Sequence, residues 1–139
     1  MKREWQVLSP LFHSRGTFGA AFPGTYTHAL HGDSPAHNLI ETAVDPRPLH
    51  ADFEDVTAGP IEWDLTLLPQ SALDAYDAYV VRIGLRRVDY ELLAVLNVLR
   101  LLQVVSCVPL APALPSLAQS LPGLLELWRS QPFAGGHKV

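Results

Sequence analysis

Between Leu92 and Trp128 the chain carries only two charged residues, Arg100 and Glu126. The richest part of that run, Val88 to Val108, reads VDYELLAVLNVLRLLQVVSCV. A helix lying on the outside of a small domain pairs an apolar stripe with a wet opposite face. This stretch has too little polar surface for that arrangement. It must be wrapped by the rest of the chain, by another copy, by a partner or by lipid.

Its polar residues follow a triplet rule: Glu91, Asn97, Arg100, Gln103 and Ser106, with Ala94 filling the remaining place. A helix turns about 100° per residue, so each step of three drifts by about 60°. The polar groups then spiral across the surface instead of forming one stripe. No two-residue alternation fits, which excludes a strand. The pattern predicts a helix over 89–107, with Asp89 as N-cap and Pro109 ending it. Buried polar groups need partners, so Asn97, Arg100 and Gln103 are expected to reach a groove, a sheet edge, solvent or a subunit interface. They are candidate partner-binding residues.

Lipid is the least suitable cover. Leu101 to Leu125 is free of charge but holds Pro109, Pro112, Pro115 and Pro122, which break the internal hydrogen bonding that a lipid-exposed segment needs. Arg100 and Asn97 add a further penalty upstream. Lys2 and Arg3 resemble the start of a secretory signal, yet the apolar run after them is short and contains Gln6, Ser9 and Pro10. The single cysteine, Cys107, excludes an intramolecular disulfide, and nothing argues for an oxidising compartment. With no cation near it in sequence, Cys107 reads as an inert thiol. The expected location is the cytoplasm, or the interior of an assembly such as a virion.

The 139 residues suit one domain, mainly β over 1–69 and mainly α over 70–139. The net charge of −4 is unevenly placed. Ten acids lie between residues 31 and 77 against Arg47 alone, whereas residues 78–139 carry six bases against three acids. The acidic middle speaks against nucleic acid, whose binding rests on neutralising phosphates. The bases are nearly all arginine, which suits bidentate pairing at interfaces.

Residues 4–8 read as a first strand ended by Ser9-Pro10. Leu11 to Gly24 reads as a loop pinned by Phe12, Phe18 and Phe22, and its glycines match no nucleotide-binding motif. Thr25–Leu30 and Asn38–Val44 read as strands. Leu49–Glu54 and Ile61–Leu67 alternate cleanly and predict an antiparallel hairpin, with Phe53 and Trp63 facing inward to roof the long helix. Further helices are expected over 71–84, opened by a Ser71/Asp74 capping box and stopped at Gly84, and over 120–130. The fold class is α+β: a small, mainly antiparallel sheet from the N-terminal half packed on about three helices from the C-terminal half.

Three clusters carry candidate chemistry. His28, His31, Asp33 and His37 crowd one turn, and imidazole and carboxylate at short spacing can hold a divalent metal such as Zn or Mg. No His-Glu-x-x-His motif supports them. On the outer face of the expected hairpin stand Asp52, Glu54, Glu62 and Asp64, where acids across an antiparallel pair lie within about 5 Å and repel. A cation or an arginine-bearing partner relieves that repulsion. Arg82, Arg86 and Arg87 form the third cluster, able to grip a phosphate or the acidic face of a neighbouring copy, or to pair with Asp77, Asp89 or Glu91 internally. The leading functional expectation is a non-enzymatic subunit without a cofactor. It would act by protein–protein contact in a homo-oligomer or larger complex, for example a virion or phage assembly component. The alternative is a metal-dependent hydrolase built from the histidine loop and the acidic hairpin.

Overall fold

The computed structural model of the chain describes residues 1–33, 38–44 and 47–137. They form two compact units, Met1–Gly24 with Asp89–Val139 and Thr25–Val88. The described elements are α1 (Lys2–Leu8), α2 (Arg15–Ala21), β1 (His28–Leu30), β2 (Leu39–Ile40), β3 (Leu49–His50), β4 (Thr57–Gly59), α3 (Gln70–Arg82), α4 (Tyr90–Ser106) and α5 (Pro115–Ser130), joined by short 3₁₀ turns. The class is α+β, as the sequence predicts.

The long apolar stretch forms α4. Asp89 caps it by accepting the backbone N–H groups of Glu91 at 3.1 Å and Leu92 at 3.0 Å. Leu92, Leu93, Val95, Leu96, Val98, Leu101, Leu102 and Val105 are buried along it. The polar spiral comes out where drift carries it, with Glu91, Gln103 and Ser106 exposed. The helix stops ahead of Pro109, which sits in the first turn of a 3₁₀ segment, Val108–Ala113.

The cover of α4 is made of helix and turn. α5, the Val108–Ala113 segment and a terminal 3₁₀ turn at Phe133–Gly136 all pack on it. The terminal turn reads in sequence as loose tail but is a plug. Ala134 is fully buried, and Gly135 adopts φ +64, where a Cβ would come within 2.6 Å of the Ala94 carbonyl oxygen and 2.7 Å of the Val95 Cα. Only glycine allows both that backbone conformation and that approach. α5 starts at Pro115 instead of Ser120, because a proline fits the first helical turn, whose N–H groups have no internal partner.

The N-terminal strand is not formed. Residues 4–8 belong to α1, which turns Glu4 and Leu8, one turn apart, to the inside. The Glu4 carboxylate accepts the indole N–H of Trp128 at 3.1 Å. The glycine-rich segment after it contains α2, opened by a reciprocal capping box. Ser14 Oγ accepts the Thr17 N–H and Thr17 Oγ1 accepts the Ser14 N–H, each at 3.1 Å. The three phenylalanines do pin this segment, with ring centroids 5.6 Å apart for Phe12–Phe18 and 5.3 Å for Phe18–Phe22.

In the Thr25–Val88 unit the expected hairpin is replaced by two separate ribbons. β1 pairs antiparallel with β4, matching His28 to Gly59 and Leu30 to Thr57. β2 pairs antiparallel with β3, matching Leu39 to His50 and Ile40 to Leu49. The alternation of 49–54 is cut after His50 by Asp52, whose left-handed backbone (φ 63) starts a 3₁₀ turn at Phe53–Asp55. Ile61–Trp63 is also a 3₁₀ turn. Phe53 lies against the His31 ring at 4.8 Å, and the Trp63 indole N–H donates to the Gly32 carbonyl at 2.8 Å.

α3 begins without the Ser71/Asp74 box. Pro69 is its N-cap, and Asp74 instead accepts the Gln70 side-chain amide at 2.8 Å. Its end matches the expected stop. Gly84 has φ +75, and the N–H groups of Leu85 and Gly84 return to the carbonyls of Val80 at 2.8 Å and Val81 at 3.2 Å, a Schellman closure.

Candidate functional site

The best-defined polar arrangement is the turn His31–Gly32. Asp64 grips it with both oxygens, accepting the His31 N–H at 2.8 Å and the Gly32 N–H at 3.0 Å. Gly32 has φ +87, and any Cβ there would collide with the Asp55 carbonyl. Asn38 donates to the Asp33 carbonyl at 3.0 Å. The turn is thus held from both sides, and it buries His31.

The His31 Nε2 lies 2.8 Å from the Ala51 carbonyl oxygen. A carbonyl only accepts, so that nitrogen carries a proton, and in the neutral imidazole Nδ1 then holds a lone pair. Nδ1 is buried and has no hydrogen-bond partner, an arrangement that costs about 1–3 kcal/mol. The His50 ring lies 5.4 Å from the His31 ring, at an interplanar angle of 46°. Of the other histidine-loop residues, His28 is exposed and Asp33 half-buried, while His37 lies outside the described residues. Among the described residues no three His, Cys, Asp or Glu side chains converge on a metal position. His28, His31 and Asp33 are therefore not brought to one point.

The acidic set does not share a face, because the hairpin that would have carried it is absent. Asp52 and Glu54 are exposed. Asp64 is taken up by the His31–Gly32 turn. Glu62 is fully buried and bound to Arg86 in a fork, NH1 to Oε1 at 2.7 Å and NH2 to Oε2 at 3.0 Å. This pairing differs from the partners Asp77, Asp89 and Glu91 expected from sequence. Asp77 instead accepts the Val88 N–H at 2.8 Å. The Tyr76 phenol is pushed above its ordinary value of 10, first by burial, then by the Glu62 carboxylate, with Asp77 adding and Arg86 opposing. Arg82 lies over the Tyr79 ring at 5.3 Å, and Arg87 is exposed. The three arginines therefore split, Arg86 inward and the other two outward.

On α4, Arg100 donates to Gln103 Oε1 at 3.3 Å, and Asn97 and Arg100 are half-buried. α5 is the unusual element. Leu117, Leu121, Leu124, Leu125 and Trp128 recur at helical spacing, yet no residue of this helix is buried. The segment leading into it exposes Val108, Leu110 and Leu114, the last two by 54% and 46%. Sequence reasoning marks this region as apolar but does not locate the exposed surface. No described helix is long and apolar enough to cross a membrane.

Compared with protein-family models, curated proteins and solved structures, the chain matches none.

Proposed function

We propose that this protein works by protein–protein contact, as a subunit of an oligomer or larger assembly, through the apolar surface of α5 and the Val108–Leu114 segment. The observation that carries the reading is the exposed apolar set Val108, Leu110, Leu114 and Leu127, leading into and lying on a 16-residue helix whose leucine and tryptophan stripe is itself only partly covered. Exposed apolar side chains clustered along one stretch of a small protein point to an interaction site. Charge in the Thr25–Val88 unit adds to this, because Arg82 and Arg87 are exposed there, as are Asp52 and Glu54. Opposite charges on separate patches give register and orientation to an encounter.

Sedimentation velocity across micromolar concentrations tests the reading. The wild-type chain is expected to show concentration-dependent association, and the double variant Leu110→Glu, Leu114→Glu to sediment as a monomer with an unchanged circular dichroism spectrum. A wild-type chain that stays monomeric throughout that range and binds no hydrophobic dye overturns it.

A further inference from the structure

We propose that His31 and His50 form a two-imidazole site for a borderline transition-metal dication of the zinc class, with remaining coordination positions open to water or an added ligand. Three observations around the His31 ring carry this. The His31 Nδ1 is buried, bears a lone pair and has no hydrogen-bond donor facing it. Its other ring nitrogen donates to a backbone carbonyl, that of Ala51, which is how histidines that ligate metals are held in the right tautomer. The next imidazole along the chain from that carbonyl, His50, has its ring centre 5.4 Å away. Two imidazoles on one tetrahedral ion, with metal–nitrogen bonds of about 2.0–2.1 Å, place their ring centres roughly 5 Å apart. The observed separation is therefore already close to that of a ligand pair.

The surroundings select the ion. Asp64 is spent on the backbone of the turn, so the donors on offer are neutral nitrogens. Imidazole suits zinc, copper and nickel, whereas magnesium and calcium require oxygen. The two ligands also differ in mobility. His31 is fixed by Ala51 on one edge and by Phe53, 4.8 Å away. His50 is exposed on β3, whose backbone is held by pairing with Leu39, and its side chain has room to swing onto an ion. The rival account is that the three rings simply pack on one another, with the orphan nitrogen a tolerated defect.

Zinc titration of the full chain at pH 7.5, followed by calorimetry and by the imidazole nitrogen resonances, separates the two. One zinc ion is expected to bind and to move the His31 Nδ1 resonance, with magnesium inert. His50→Gln, at an exposed position that leaves the fold intact by circular dichroism, is expected to weaken zinc binding about tenfold or more, at least as much as losing an outer-shell partner does. Unchanged affinity in His50→Gln, zinc binding that leaves the His31 nitrogens unmoved, or no binding at all overturns the proposal.

Discussion

Arg86→Met is the sharpest test of how the Thr25–Val88 unit is held. The Glu62 side chain has 0% exposure and that of Arg86 32%, so the pair is closed on the acid side and open to water on the basic side. Removing the guanidinium takes away its two charge-assisted hydrogen bonds to Glu62 and one to the Arg87 carbonyl, and leaves a carboxylate in a dry site. Breaking a buried pair from one side costs about 3–5 kcal/mol. Because a third of Arg86 already meets solvent, water can enter the space it vacates, and the lower end, about 3 kcal/mol, is expected. Glu62→Gln keeps an oxygen for the guanidinium and removes only the charge, so its cost is smaller, about 1–2 kcal/mol. The double variant leaves no stranded charge, and the two effects should fall short of additivity by about 1–2 kcal/mol. Urea unfolding by circular dichroism gives the totals, and amide exchange at His31 and Gly32, whose N–H groups bind the nearby Asp64, reports this unit alone. Arg86→Met within about 0.5 kcal/mol of wild type, the range of an ordinary surface change, or strict additivity of the two substitutions, refutes the reasoning.

Three other perturbations test particular positions. Gly135→Val should destabilise by more than about 2 kcal/mol, because the side chain must displace the α4 backbone from a left-handed position; Gly123→Ala, in α5 with nothing within 4 Å, should stabilise by about 0.5–1 kcal/mol, both read by thermal unfolding. Tyr76, with its folded-state proton affinity raised above the ordinary value of 10, contributes stability that is present below pH 10 and lost as pH rises through the folded value. Tyr76→Phe should therefore flatten the alkaline loss of stability, and should remove a late component from the phenolate absorbance of the wild-type chain.

What was legible in the sequence lay where a long period or a backbone-specific residue set the structure. α4 is long enough for a triplet drift to declare itself, and Asp89 and Gly84 act through local hydrogen bonds at fixed offsets. Short segments misled. Five residues, EWQVL, fit a strand as readily as the helix turn that brings Glu4 and Leu8 together. Alternation over 49–54 and 61–67 is a statement about faces, which 3₁₀ turns can satisfy without pairing. The strand that does pair with β1, Thr57–Gly59, was hidden because Thr-Ala-Gly-Pro has the composition of a turn; a Cβ at Gly59 would press on the Leu30 Cδ1 methyl at 2.9 Å. The Glu62–Arg86 pair spans 24 positions, and nothing local in sequence marks which acid an arginine will find.

The apolar excess of the C-terminal half has been moved outward by one layer. α4 is covered by the glycine turn at 133–136 and by α5, which pack on it. α5 inherits the imbalance, since its stripe has α4 on one side and nothing that fully buries it. These side chains are already mostly covered, and completing the burial of each gains at most about 1 kcal/mol, so Leu117, Leu121, Leu124, Leu125 and Trp128 together offer no more than roughly 5 kcal/mol. Association costs an estimated 4–15 kcal/mol in lost freedom alone. The stripe by itself therefore supports a weak encounter, and a lasting complex must also draw on Val108, Leu110 and Leu114. That is why the glutamate substitutions belong at 110 and 114: they remove the part of the surface on which the balance turns while leaving the contacts between α5 and α4 in place.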